Sequence, residues 1–96
     1  MSRRKKQSEF TKALGLLILY AYHQGYELTL GDAWAVRGHI EGSFHYKRLA
    51  IDLNLFKDDV YLRETEDHRP LGEFWESIGG SWGGRFRDGN HYSWGE

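Results

Sequence analysis

Leu49-Ala50-Ile51-Asp52-Leu53-Asn54-Leu55-Phe56 alternates with a period of two. Leu49, Ile51, Leu53 and Leu55 fall on one side, and Ala50, Asp52 and Asn54 on the other, the pattern of a strand with one face on a core. Asp is depleted in strands, so an acid within this alternation points to a role at the site rather than to folding. Outward from it, Lys57-Asp58-Asp59 reads as a hairpin turn and Val60-Tyr61-Leu62 as a second short strand. Upstream, residues 26–30 alternate and are β-like, and Gly31-Asp32 turns into a short segment through Trp34 and Val36. Residues 91–94 form a last β-like segment, with His91 and Ser93 on one face and Tyr92 and Trp94 on the other.

Two helices complete the pattern. Phe10, Ala13, Leu14, Leu17, Tyr20 and Ala21 recur at helical spacing, with Ser8 as the expected N-cap and Gly25 as the stop. Pro70 suits the first turn of a second helix, whose apolar face is Leu71, Phe74, Trp75 and Ile78 and whose end is Gly79-Gly80. The expected fold is α+β: a small antiparallel sheet packed with two main helices. Residues 1–8 are expected to be a basic flexible N-terminus and residues 9–96 a single domain.

Composition narrows the function classes. The 96 residues are 40% hydrophobic and 16% aromatic, which marks a folded domain. The net charge of −1 gives no footprint for nucleic acid. The chain has no cysteine, so a transition metal must be held by His and carboxylate. A basic start, Arg3 to Lys6, precedes the apolar residues 13–20, but no small-residue cleavage site follows and the apolar stretch is shorter than the ~20 residues a bilayer requires. It reads as a buried helix of a protein made in the cytoplasm, with no membrane insertion. The basic run itself reads as a solvated tail or a contact to an anionic envelope.

Two short segments hold the chemistry. Ser43-Phe44-His45-Tyr46-Lys47-Arg48-Leu49-Ala50-Ile51-Asp52 offers His45 and Asp52, and Gly84-Arg85-Phe86-Arg87-Asp88-Gly89-Asn90-His91-Tyr92 offers Asp88 and His91. Two imidazoles and one carboxylate suit a catalytic zinc with one position open for water. His45 is seven residues from Asp52, an odd offset, so it belongs to the approach to the strand rather than to Asp52's face. Taken singly, each residue has an ordinary reading: His45 a surface histidine, and Asp88-Gly89-Asn90 a turn. His23, His39 and His68 have no such context and are read as non-ligands. Trp75 and Trp82 are read as core, and Gly83-Gly84 as a tight turn or a place where substrate nears the backbone.

Together the segments resemble the zinc peptidases of the D-alanyl-D-alanine carboxypeptidase / L-alanyl-D-glutamate endopeptidase family (the VanY-like group, with a hedgehog-like fold). The Ser-x-His-x(6)-Asp motif, with Ala two residues before the Asp, is filled by Ser43, His45, Ala50 and Asp52. The late acid-x-x-His is filled by Asp88 and His91, after Trp82-Gly83-Gly84. The resemblance implies zinc on His45, Asp52 and His91, with Asp88 as general base. Asp in that role is more similar to the phage endolysin branch, which cuts the L-Ala-D-Glu bond of the peptidoglycan stem peptide and reaches the wall by holin-assisted release. Arg48 departs from the family, which often has Gly there. Arg37, Ser43 and Arg48 are candidates for substrate binding, the guanidinium groups for a stem-peptide carboxylate. The expected protein is a monomer. The rival expectations are a D-Ala-D-Ala carboxypeptidase or dipeptidase on the same site, and a non-catalytic zinc-stabilised structural or wall-binding module.

Overall fold

The computed structural model describes residues 2–32 and 49–95. The expected short segment through Trp34 and Val36 lies outside them. The chain runs α1 (Arg3–His23), β1 (Glu27–Leu30), β2 (Ala50–Lys57), β3 (Val60–Leu62), a 3-10 turn (Thr65–His68), α2 (Arg69–Ser77), β4 (Ser81–Trp82), a second 3-10 turn (Gly83–Phe86) and β5 (His91–Ser93). Two helices and a small antiparallel sheet make this an α+β fold, as the periodicities predict.

Helix α1 begins earlier than expected. Ser2, not Ser8, is the N-cap, its hydroxyl accepting from the Lys5 N–H at 3.2 Å. Ser8 instead accepts from the Arg4 guanidinium at 3.0 Å, one turn into the helix. The basic run is therefore helical, forming the first turn of α1. Phe10, Ala13, Leu17 and Ala21 form its buried stripe. Both helices end in the same way. Tyr26 N–H reaches Ala21 O and Gly25 N–H reaches Tyr22 O; after α2, Gly80 N–H reaches Trp75 O and Gly79 N–H reaches Glu76 O. Each is a Schellman ending, and the residue that needs positive φ is Gly25 (φ 90°) in one and Gly79 (φ 106°) in the other.

β2 is the central strand. One edge pairs with β1, Thr29 opposite Asn54 and Glu27 opposite Phe56. The other edge is shared: β5 pairs with its first half, Asp52 opposite His91, and β3 with its second half, Phe56 opposite Tyr61. β4 extends the sheet beyond β5. The β2–β3 hairpin turns on Asp58 (φ 53°) and Asp59 (φ 64°), the left-handed pair that a two-residue type I′ turn requires. Ile51, Leu53 and Leu55 are buried with Leu17, Ala21, Leu71, Trp75 and Tyr92. The helices thus cover one face of the sheet, and Asp52, Asn54 and Phe56 fall on the other. At about 25 cal/mol per Å² of apolar surface, each such fully buried large side chain contributes roughly 1.5–3 kcal/mol before entropy is counted.

Candidate metal centre

The outer face of the β2–β5 ladder brings two of the expected ligands together. Asp52 turns both backbone groups toward the β1 edge: its N–H donates to Asp32 O (3.0 Å), and its C=O accepts from Gly31 N–H (2.7 Å). The next N–H, of Leu53, points the other way to Asn90 O (2.9 Å). Asp52 and His91 are therefore a non-hydrogen-bonded pair of an antiparallel ladder, the kind in which opposed side chains stand closest. His91 Nδ1 lies 3.5 Å from Asp52 Oδ1, with both side chains about a quarter exposed (23% and 24%).

That spacing suits a shared cation. Zinc bonds of about 2.0–2.1 Å at tetrahedral angles put neighbouring ligand atoms about 3.3 Å apart. A nitrogen and an oxygen donor already held near this distance, and partly open to solvent, are a fitting half of a tetrahedral set. Among the described residues, no group of three His, Asp or Glu side chains is arranged to hold a metal. The third expected ligand, His45, and the expected substrate-binding residues Arg37, Ser43 and Arg48 lie outside the described residues, as does His39.

The loop entering β5 is held from several sides. Asp88 N–H donates to Gly83 O (3.0 Å), and Asp88 O accepts from His91 N–H (3.1 Å), closing the turn Asp88-Gly89-Asn90-His91. The buried indole of Trp82 donates to Gly89 O at 2.7 Å. Asp88 is thus exposed on a backbone whose N–H and C=O are both engaged, three residues from His91. Gly83 is the glycine this arrangement requires. A Cβ there would stand 2.3 Å from Asp88 O and 3.0 Å from His91 Cβ, so any side chain would push on the acid and the histidine together. At the expected tight turn, Gly83 is pressed by the backbone of Asp88 and Gly84 by the indole of Trp82.

His68, read from the sequence as a residue without context, is a buried polar centre. It is 3% exposed, and its Nδ1 is 2.8 Å from the Tyr92 hydroxyl. Burial pushes its pKa down to about 4 against a small opposing pull from Asp67, and burial also raises that of the Tyr92 phenol. The pair sits behind His91, because Tyr92 points to the inner face. Trp75 and Trp82 are core, as expected, and each also donates to a carbonyl of this region, Ser93 O (2.9 Å) and Gly89 O. Sequence reasoning missed the His68–Tyr92 bond and β4. The alternation of residues 91–94 separates Tyr92 from His91, but nothing local indicates which face is inward or which group meets the Tyr92 hydroxyl.

Among the described residues, no helix is long and apolar enough to cross a membrane. The family model of D-alanyl-D-alanine carboxypeptidase matches residues 37–94, more than half of the chain, and spans both motif segments as well as the β2–β5 ladder. No curated protein and no solved structure matches the chain. The ladder that pairs Asp52 with His91 therefore lies inside the matched region, and the chain belongs to the D-alanyl-D-alanine carboxypeptidase family of peptidases.

Proposed function

We propose that the chain is a zinc-dependent peptidoglycan peptidase of the endolysin type that hydrolyses the L-Ala-D-Glu bond of the stem peptide. The observation that carries this reading is the outer-face pair Asp52–His91, 3.5 Å apart, with Asp88 three residues away on a braced turn. His45 completes the ligand set in this reading, and Arg37, Ser43 and Arg48 bind the substrate. Bound there, zinc would lower the pKa of its water to about 7 and supply positive charge to polarise a carbonyl. Asp88 accepts the proton of the attacking water and delivers it to the leaving amine. The β2–β5 ladder keeps Asp52 and His91 in fixed relation, and the Asp88–His91 turn holds the backbone of Asp88 to that of His91, three residues on in sequence.

A second reading, release of the terminal D-Ala, is favoured by the description of the matching family. The products separate the two. Endopeptidase action exposes a new D-Glu amino terminus, whereas carboxypeptidase action yields free D-Ala. Purified protein is expected to carry about one zinc per chain and to digest purified peptidoglycan in a chelator-sensitive way. Asp88→Asn is expected to keep the zinc and lose about 10²- to 10⁴-fold in rate. Zinc without turnover in the parent chain would leave a zinc-stabilised wall-binding module, and a chain without zinc would end the proposal.

A further inference from the structure

The indole of Trp82 is closely confined. A Cβ at Gly72 of α2 would stand 2.1 Å from Trp82 Cδ2, and a Cβ at Gly84 would stand 2.3 Å from Trp82 Cη2. Both positions must be bare for the ring to lie where it does. The Arg69 guanidinium stands 5.5 Å from the ring and is itself held by two hydrogen bonds to Glu66, at 2.6 and 2.8 Å. A ring enclosed in this way has little freedom to turn, and its N–H is aimed at Gly89 O, 2.7 Å away.

Gly89 is buried as well, and a Cβ there would stand 2.6 Å from Thr65 Cα. Its carbonyl is therefore a buried acceptor, costly to leave without a donor. Losing the indole N–H would drive the Gly89-Asn90 peptide to reorient toward water, and that peptide lies between Asp88 and His91. Trp82 also pairs with Tyr92 across β4 and β5. One residue thus holds β5 by its main chain and the turn before β5 by its side chain. Asp88 is exposed, so its placement depends on this turn rather than on packing around its carboxylate.

Trp75 provides the contrast. It is fully buried, and its indole donates to Ser93 O at 2.9 Å. That carbonyl lies beyond His91. Of these two indole bonds, the one from Trp82 falls inside the turn that carries the acid.

We propose that Trp82 is a positioning residue: through its N–H bond to Gly89 O, it sets where the Asp88 carboxylate stands relative to the Asp52–His91 pair. This rests on the peptidase reading for the role of Asp88, though not on which bond is cut. A group that moves a proton must be held near its productive geometry, and a misplacement of about 1 Å costs up to about 10²-fold in rate.

The test is Trp82→benzothienylalanine in the zinc-loaded full chain, a replacement that keeps the shape of the indole and puts sulfur in place of N–H. Trp75→benzothienylalanine is the control, since it removes a buried indole bond outside the turn. The position-82 variant is expected to lower kcat on a purified stem peptide about 10- to 10²-fold, with KM and zinc content unchanged. The control is expected to keep the parent kcat. Amide hydrogen exchange on the metal-free proteins gives a readout independent of turnover. Exchange at the Asp88 and His91 N–H groups, whose bonds brace the turn, is expected to speed up in the position-82 variant and not in the control. An unchanged kcat at position 82, an equal loss in both variants, or unchanged exchange at Asp88 and His91 would each overturn the proposal. If the parent chain cleaves nothing, the peptidase reading fails and exchange alone decides the positioning. Faster exchange confined to the position-82 variant would support it, and equal exchange would overturn it.

Discussion

His91 and His68 stand on opposite sides of one strand and show how little residue type decides. His91 faces outward, about a quarter exposed, 3.5 Å from the Asp52 carboxylate. His68 meets the inward-facing Tyr92, 3% exposed, with a phenol as its partner. Next to a carboxylate and in reach of water, an imidazole is placed where it could serve a cation. Within the core, its charged form is costly and the ring is held neutral. The same β5 register, His91 out and Tyr92 in, makes one histidine a ligand candidate and the other a fixture of the core.

Removing either member of the outer pair is the strongest way to break this contrast. Under the proposed zinc reading, Asp52→Ala and His91→Ala are each expected to abolish zinc binding and, with it, all measurable hydrolysis, read by elemental analysis and peptidoglycan digestion. His68→Gln is expected to retain the metal. A His91→Ala protein with full zinc content would remove the distinction between the two faces.

Acid sharpens the comparison from the inner side. The pKa of His68 is lowered in the folded chain, to about 4 from 6.5. The unfolded chain therefore binds the proton first as pH falls. The stability tied to neutral His68 is complete above about pH 6.5 and is lost progressively as pH falls toward about 4, by about 3 kcal/mol in all. Urea melts of the metal-free protein at a series of pH values are expected to show this slope, and His68→Gln to flatten it. A slope unchanged in the variant would assign the acid sensitivity to other groups.

The smallest effect concerns the hydroxyl of Tyr92. Tyr92→Phe leaves the ring in the core and the His68 Nδ1 without that partner, at an expected cost of about 1–2 kcal/mol in denaturant unfolding. Zinc content is expected to stay the same. A neutral substitution would mean that a buried water replaces the bond.

Much of the framework is legible along the chain because its signals are local. The alternation of residues 49–56 pointed Ile51, Leu53 and Leu55 inward and Asp52 outward, as the burial shows. Gly25 and Gly79 sit where helices end because few other residues accept positive φ. Ser2 and Ser8 are both suitable caps, and the helix starts at Ser2, whose hydroxyl takes the Lys5 N–H, with Ser8 one turn inside it. β4 has only two residues and carries no periodicity of its own. Asp52, Asp88 and His91 were singled out by the spacing of motif residues, a pattern that contains no distance between them.

The sequence by itself determined the strand of Asp52, the two helices, the absence of thiolate ligands and the family to which the motifs belong. Each depends on neighbours within a few residues or on residue identity alone. Only the tertiary structure decided that Asp52 and His91 oppose each other in a non-hydrogen-bonded pair, and that Gly83 must be bare where Asp88 and His91 crowd it. It also decided that His68 belongs to the core. These are consequences of strand register and packing between segments more than twenty residues apart in some cases, and a one-residue slip of β5 against β2 would have reversed which face His91 occupies.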